Sequence, residues 1–183
     1  MTGNSFLAID LSEADRHHLA AELHEASPGP RIPGRRTKPE NWHITVRFLG
    51  QIDEVVRDRI AMEIAEGLDA SGGQVHIAGL GAFPRASRAT VMYAAVDDPG
   101  GILDALAAQC EQVCRDVGLE PEERPFVPHL TLARIRPPRD VRRLIDAFSD
   151  FSVRLVVERM ALMHGEERSD GVRYVCDAEF LLR

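Results

Sequence analysis

The sequence predicts an α+β fold with an internally duplicated, two-lobe arrangement, in which mainly antiparallel sheets flanked by helices enclose a central cleft. Short apolar runs with the period of a strand alternate with amphipathic stretches that have the period of a helix. The order strand-helix-strand-helix-strand occurs twice, the second time with one extra strand. The segments HITV at 43–46 and HLTL at 129–132 lie 86 residues apart, and the same offset brings the other elements into approximate register. These observations indicate two related, interleaved lobes within a single domain over residues 1–183.

The first half begins with a buried strand over residues 6–11, where apolar residues are almost continuous. Ser12, followed by acidic residues and then by Leu19 and Leu23, is typical of a capped helix. Four prolines and two glycines within 26–41 predict a long loop, and loops of this length in a compact domain are usually functional or disordered. The half then continues with a strand over 43–49 ended by Gly50, a helix over 53–68 and a strand over 74–83.

The second half repeats this order. The predicted elements are a strand over 88–96, a helix over 102–117 with Gly118 as its C-cap, a strand over 129–135, a helix over 141–148, one continuous strand over 151–163, and a strand over 174–182 after a turn at 169–171.

Composition places the chain among ordinary globular proteins. It has 183 residues, of which 44% are hydrophobic and 28% charged, enough to bury a core without disulfides or a structural metal. The three cysteines form no CxxC pair, which favours a reducing compartment. No apolar run approaches the roughly 18 residues that span a bilayer, and no signal-peptide pattern precedes Ser5. We expect a cytoplasmic monomer with no membrane association and no obligate protein partner.

The distribution of charge bears on whether a nucleic acid is a partner. A net charge of −7 argues against nucleic acid at first. However, 21 of the 22 basic residues are arginine, an excess that codon bias mostly explains, and their placement is uneven. Residues 31–47 hold five basic side chains and one acidic, and so do residues 134–143. Because these stretches flank the two repeated motifs, we expect a locally positive cleft on an acidic body.

The repeated motifs each place an imidazole and a hydroxyl on one face of a strand. Successive side chains of a strand point to opposite faces, so His43 and Thr45 share one face, and the alternate apolar positions through Phe48 share the other. The same parity pairs His129 with Thr131. Two such strands facing each other across a pseudo-twofold axis predict a symmetric acid/base site.

That site suits in-line displacement at phosphorus. At neutral pH one imidazole accepts a proton, while its partner, held cationic by a phosphate, donates one. The two threonine hydroxyls are placed to bind the non-bridging oxygens. Neither motif has a carboxylate on the same strand face, so the pattern predicts no metal and no cofactor.

The remaining five histidines are predicted to be structural or solvated. His17, His18 and His24 lie in the first predicted helix, and His76 lies within a strand. His164 lies at the end of a predicted strand, a position that can border a cleft.

Paired HxTx motifs resemble those of the 2H phosphoesterase superfamily. The surrounding sequence is similar to its RNA 2',3'-cyclic phosphodiesterase branch, also known as the bacterial and archaeal 2'-5' RNA ligases. The segments that carry this resemblance are FLAIDL at 6–11, PENWHITVRFLG at 39–50, GLGAFP at 79–84 and RPFVPHLTLAR at 124–134.

The resemblance implies a substrate and roles for the motif residues. The substrate is an RNA end, or a nucleotide, with a 2',3'-cyclic phosphate that is opened to a 2'-phosphomonoester. His129 is then the proton acceptor that activates water, and His43 is the proton donor to the departing 3'-oxygen. Thr45 and Thr131 bind phosphate oxygens. The pseudo-symmetric pair of histidines also permits the opposite assignment.

Two further residues are implied as substrate contacts. Phe126 is a candidate stacking platform for the terminal base, and a role as a core residue explains it equally well. Arg134 matches an arginine of the family motif that would contact phosphate, although regular strand parity places it opposite His129. The same chemistry run with a 5'-hydroxyl would form a 2'-5' linkage.

Two segments depart from the family pattern. RRTK at 35–38 stands where an aromatic residue is usual, so that any such contact is missing or has moved to Trp42, and HGEERSD at 164–170 is more charged than usual. Both leave substrate preference open. The alternatives are a phosphodiesterase acting on 2'-5' oligonucleotides or ADP-ribose cyclic phosphate, and a non-catalytic protein that binds RNA ends.

Overall fold

The structure is a computed structural model that describes residues 3–26, 31–169 and 171–183. The strands within these ranges are β1 Ser5–Asp10, β2 Arg35–Arg36, β3 His43–Gly50, β4 Gly73–Phe83, β5 Ala89–Asp97, β6 His129–Arg139, β7 Ser152–Val157, β8 Arg159–Arg168 and β9 Gly171–Leu181. The helices are α1 Glu13–Glu25, α2 Glu54–Gly67, α3 Ile102–Asp116 and α4 Arg142–Ala147, with short 3-10 turns at Pro39–Asn41 and Ala86–Arg88. The predicted α+β order is confirmed.

One curled antiparallel sheet joins the two halves of the chain. Its strand order is β7-β4-β5-β6-β3-β1-β8-β9, and β2 pairs with β6. The halves exchange strands, because β4 of the first half pairs with β5, and β8 of the second half pairs with β1. The two HxTx strands meet at the centre of the sheet, where Ile44 pairs with Leu130. This pairing places the two motifs side by side.

The local signals for the helices are confirmed. The Ser12 hydroxyl accepts from the Asp15 amide, and the Asp53 carboxylate accepts from the Val56 amide, so both side chains cap helices. Gly118 has a φ of +90° immediately after α3, which suits a glycine at a helix C-terminus.

The C-terminal strands differ from the prediction. The apolar pattern over 151–163 predicts one strand, but the structure breaks it at Glu158 into β7 and β8. The two strands then pair on opposite sides of the sheet, β7 with β4 and β8 with β1. The predicted loop over 26–41 contains β2 and a 3-10 turn, while its residues 27–30, and Asp170 of the predicted turn, lie outside the described residues.

The main core lies between the sheet and the four helices, each of which contributes buried residues to it. A second, smaller cluster lies on the other face and contains Phe6, Ala8, Ala161 and Met163. The helices therefore cover one face of the sheet, and the second face is left to form a cleft. Among the described residues, no helix is both long and apolar enough to cross a membrane.

Candidate active site

A cavity of about 420 Å³ opens on the face of the sheet that the helices leave uncovered. His43 and Thr45 of β3 line it together with His129 and Thr131 of β6. Arg134 lines it as well. The structure thus brings together five of the six side chains that the sequence predicts for the site.

Both histidines are held by the same backbone contact. Nδ1 of His43 lies 2.9 Å from the carbonyl oxygen of Asn41, and Nδ1 of His129 lies 2.7 Å from that of Val127. A carbonyl oxygen only accepts, so each Nδ1 carries the proton and donates it. The neutral rings are therefore in the tautomer whose Nε2 has a free lone pair. Each Nε2 is available for proton transfer at the cavity.

Aromatic rings surround each imidazole. Phe6 stacks on His43 with ring centroids 4.7 Å apart, and Tyr174 meets the same ring edge-on at 5.0 Å. Phe83 and Tyr93 lie against His129 at 5.1 and 5.2 Å. These contacts restrict ring rotation, so that the two imidazoles keep their orientation toward the cavity.

The two histidines nevertheless differ electrostatically. The pKa of His43 is lowered to about 4, mainly by burial and to a lesser extent by the nearby His129, against the opposing effect of the hydrogen bond to the Asn41 carbonyl. At neutral pH, His43 of the free protein is therefore uncharged. A bound anion would counter this shift by favouring the imidazolium.

Equivalent β-bulges reverse the side-chain parity of both motif strands. Along β3, the partners change from Ala8 with Thr45 to Leu7 with Arg47, so one residue of β3 is unpaired. Phe48 is consequently on the same face as His43, where it lines the cavity and is 47% exposed. The prediction that Phe48 shares the buried face is wrong, because the alternation on which it rests ends at the bulge.

The bulge in β6 has the same effect on Arg134. The partners change from Tyr93 with Thr131 to Met92 with Ala133, which again leaves one residue unpaired. Arg134 therefore joins the face of His129, five residues after it, as Phe48 follows His43 by five. Symmetry-related positions thus present an aromatic ring on one side of the cleft and a cation on the other.

The expected positive cleft is formed only in part. Arg134 is the one arginine among the described residues that line the cavity, and the acidic residue Glu167 lines it too. Arg47 is buried instead, 2.6 Å from both Glu111 Oε2 and the Glu120 carbonyl oxygen, and also donates to the Phe48 carbonyl. Its guanidinium holds the bulged strand against α3 and the following segment.

Three aromatic or histidine residues considered in the sequence analysis do not line the cavity. Phe126 is half-buried and packs against the main core, as in the alternative interpretation of that residue. Trp42 is buried, with Nε1 donating to the Thr37 carbonyl at 3.2 Å. His164 is buried within β8, where its Nδ1 lies 2.8 Å from Oδ2 of Asp177. The residues missed by the sequence analysis are Phe6, Phe48, Glu167 and Tyr174.

Comparison with known proteins identifies the family. The model of the 2'-5' RNA ligase superfamily matches residues 18–168. This chain belongs to that superfamily. A relative from Aeropyrum pernix, named RNA 2',3'-cyclic phosphodiesterase, is 33% identical over 125 residues, covering 68% of this chain and 70% of the relative. A protein of the same name from Methanothermobacter thermautotrophicus is 28% identical over 151 residues, covering 82% and 80%.

Solved structures of similar proteins share the fold. E. coli LigT, crystallised with 3'-AMP, has a TM-score of 0.74 at 22% identity, covering 100% of this chain and 99% of LigT. A Thermus thermophilus protein has a TM-score of 0.75 at 23% identity and covers 98% of both chains. At these identities the likeness concerns the fold, and it confirms the predicted fold class. The resemblance to the 2H phosphoesterases is confirmed as well.

Proposed function

We propose that this protein hydrolyses the terminal 2',3'-cyclic phosphate of RNA to a 2'-phosphomonoester by acid/base catalysis with two histidines and no metal. The observation that carries the proposal is the pair of imidazoles on equivalent strands, each with Nδ1 bound to a backbone carbonyl and Nε2 free at one cavity. The names of the superfamily relatives support the substrate class.

The asymmetry of the cleft supports an orientation for the substrate. Phe48 and Tyr174 lie on the side of His43 and offer apolar surface to a nucleoside. Arg134 lies on the strand of His129 and offers charge to a phosphate. The oxygen that leaves phosphorus belongs to the ribose, so it faces His43, and the attacking water enters from the side of His129.

The chemical step follows from this orientation. Nε2 of His129 takes a proton from water as the water oxygen bonds to phosphorus, the bond from phosphorus to the 3'-oxygen breaks, and Nε2 of His43 gives its proton to that oxygen. The hydroxyls of Thr45 and Thr131 donate to the non-bridging oxygens. With a 5'-hydroxyl in place of water, the same step forms a 2'-5' linkage.

The lowered pKa of His43 adds a requirement. A proton donor must be protonated before it acts, whereas His43 of the free protein is neutral at pH 7. The negative phosphate raises its pKa, so substrate and proton bind cooperatively. Activity should consequently be greater on the acidic side of neutrality, provided that His129 remains able to accept a proton.

Hydrolysis of a cyclic nucleotide in excess chelator tests the proposal. Separation of the products by chromatography identifies the 2'- or 3'-monophosphate, and parallel reactions with 2'-5' oligonucleotides and ADP-ribose cyclic phosphate test the alternative substrates. His43→Ala and His129→Ala should each lower kcat at least a hundredfold, because general acid/base catalysis contributes about 10²–10⁴-fold. His76→Ala is the matched control. Wild-type rates in both cleft variants, or RNA binding without turnover in the wild type, would contradict the proposal.

A further inference from the structure

An exposed group of arginines continues outward from the cleft along β6. We call it the arginine strip. It consists of Arg35 and Arg36 of β2, Arg85 and Arg88 at the 3-10 turn before β5, and Arg134, Arg136, Arg139, Arg142 and Arg143 along and after β6. All nine are exposed.

Backbone contacts hold the three segments of the strip together. Arg35 of β2 pairs with Arg134 of β6, and the chain of β5 meets the far end of β6 where Ala89 pairs with Arg139. The amide of Val141 donates to the Ala86 carbonyl at 2.8 Å, which fixes the 3-10 turn against the start of α4. The arginines are thus neighbours in the fold although they come from three parts of the sequence.

The arginine strip is strongly positive, although the protein as a whole is acidic. Its three segments, 35–36, 85–88 and 134–143, hold nine arginines and one carboxylate, a net charge of +8, so the rest of the chain carries −15. Concentrating like charges on one surface is unfavourable for the free protein and favourable for capture of a polyanion.

The arginines of the strip also differ from the other arginines in how often they form ion pairs with carboxylates. Outside the strip, seven of the twelve arginines form ion pairs with carboxylates of the described residues. Within it, only Arg142 does so, with Asp140, among the residues that the structure describes. Eight guanidinium groups are left to bind an external anion.

The arginine strip begins at the cavity and continues away from it. Arg134 lines the cavity, and Arg136 follows on the same face of β6 because Ile135 between them is buried. Beyond Arg134 the strand is bulged, because Arg134 pairs with Val91 and Arg139 pairs with Ala89, only two residues away on β5. From Arg134 to Arg139 the strip therefore advances about 7 Å along the strand direction, which still exceeds the rise per phosphate of about 3.4 Å along one nucleic acid strand.

We infer that the arginine strip binds the backbone of single-stranded RNA leading up to the cyclic end, so that the protein acts preferentially on RNA ends rather than on free cyclic nucleotides. This inference rests on the proposed function for its substrate. Arginine suits the role because its planar guanidinium pairs with phosphate in two-point contacts. No base reading is required, so binding is independent of sequence.

Two substrates measure the contribution of the strip. One is a 2',3'-cyclic mononucleotide, and the other is a short single-stranded oligonucleotide that ends in the same cyclic nucleotide. For single strands, two phosphate contacts make binding fall about sevenfold when salt rises fourfold. The kcat/KM of the wild type should be greater for the oligonucleotide, and this advantage should fall by about that factor in the higher salt.

The double variant Arg136→Gln/Arg139→Gln removes two cations outside the cavity. It should lose most of the advantage for the oligonucleotide and of its salt dependence, while its kcat/KM for the mononucleotide stays within about twofold of wild type. Arg59→Gln/Arg183→Gln makes the same change of charge on α2 and at the chain end, and should retain the advantage. Equal kcat/KM values for both substrates in the wild type, or equal losses in the two double variants, would overturn the inference.

A binding measurement separates this inference from the proposed function. The change in fluorescence anisotropy of a 5'-labelled oligonucleotide with an ordinary 3'-hydroxyl reports the strip without requiring turnover. If cyclic nucleotides are not hydrolysed but Arg136→Gln/Arg139→Gln still weakens this binding, the proposed function is wrong, whereas RNA binding by the arginine strip is supported. Tighter binding of the matching duplex than of the single strand would overturn the assignment to single-stranded RNA.

Discussion

Replacement of His43 should make the protein less sensitive to acid. The imidazole has a pKa near 6.5 in the unfolded chain and about 4 in the folded protein, so the unfolded state takes up its proton first as the pH falls. Well above pH 6.5 the imidazole is neutral in both states, so His43 causes no loss of stability there. Between the two pKa values, stability falls by about 1.4 kcal/mol per pH unit, to a total loss of about 3 kcal/mol below both.

Urea unfolding of wild type and His43→Gln near pH 8 and near pH 5 measures this effect. From the two pKa values, His43 should account for about 2 kcal/mol of the stability that wild type loses between these conditions. His43→Gln should lose less by that amount, since the other titrating groups are common to both proteins. His17→Gln, which alters an exposed histidine of α1, should lose as much as wild type. The same loss in wild type and His43→Gln would refute the argument.

Four further predictions concern the cleft and its support. Sulfate, which does not titrate in this range, should bind up to tenfold more tightly for each pH unit between 6.5 and the pKa that His43 has in the ligand-free protein, as followed by calorimetry, and His43→Gln should weaken this dependence. Phe48→Ala should raise KM for a cyclic nucleotide at least fivefold, because base stacking contributes about 1–3 kcal/mol, whereas Phe126→Ala should mainly lower Tm. Arg47→Met should lower the free energy of unfolding in urea by about 2–4 kcal/mol, since it removes the charged donor of one Glu111 carboxylate oxygen and of the part-buried Glu120 and Phe48 carbonyls. Glu167→Gln should strengthen phosphate inhibition by up to about fivefold, with Glu166→Gln, whose carboxylate pairs with Arg168, as the matched control.

The sequence predicts the fold and the four motif residues because both depend on local patterns. Alternation places His43 beside Thr45 and His129 beside Thr131, and both pairs line the cavity. Neither bulge can be predicted from the sequence of the strand alone, because a bulge is defined by how the strand pairs with its neighbour. The parity derived for positions beyond the bulges therefore fails.

The burial of Arg47 illustrates a second limit. Its sequence context, in a strand that alternates polar and apolar residues, favours an arginine facing the cleft. The residues that accept its hydrogen bonds, Glu111 and Glu120, are 64 and 73 positions further along the chain. Contacts of this kind form only when α3 and the segment after it pack against β3, so no local pattern in the sequence indicates them.

The duplicated fold makes the cleft symmetric, whereas the proposed reaction requires it to be asymmetric. A symmetric pair of imidazoles would act on phosphorus equally well in either direction, so the duplicated strands alone do not determine which histidine gives the proton. The equivalent bulges carry Phe48 and Arg134 into the cavity at matching positions, one apolar and one cationic. A nucleoside offers an apolar face that suits Phe48, and a phosphate offers negative charge that suits Arg134. The direction of the proposed reaction therefore depends on Phe48 and Arg134, which follow the two motifs. Placing the arginine at position 48 and the aromatic residue at position 134 should reverse the orientation of a substrate between His43 and His129.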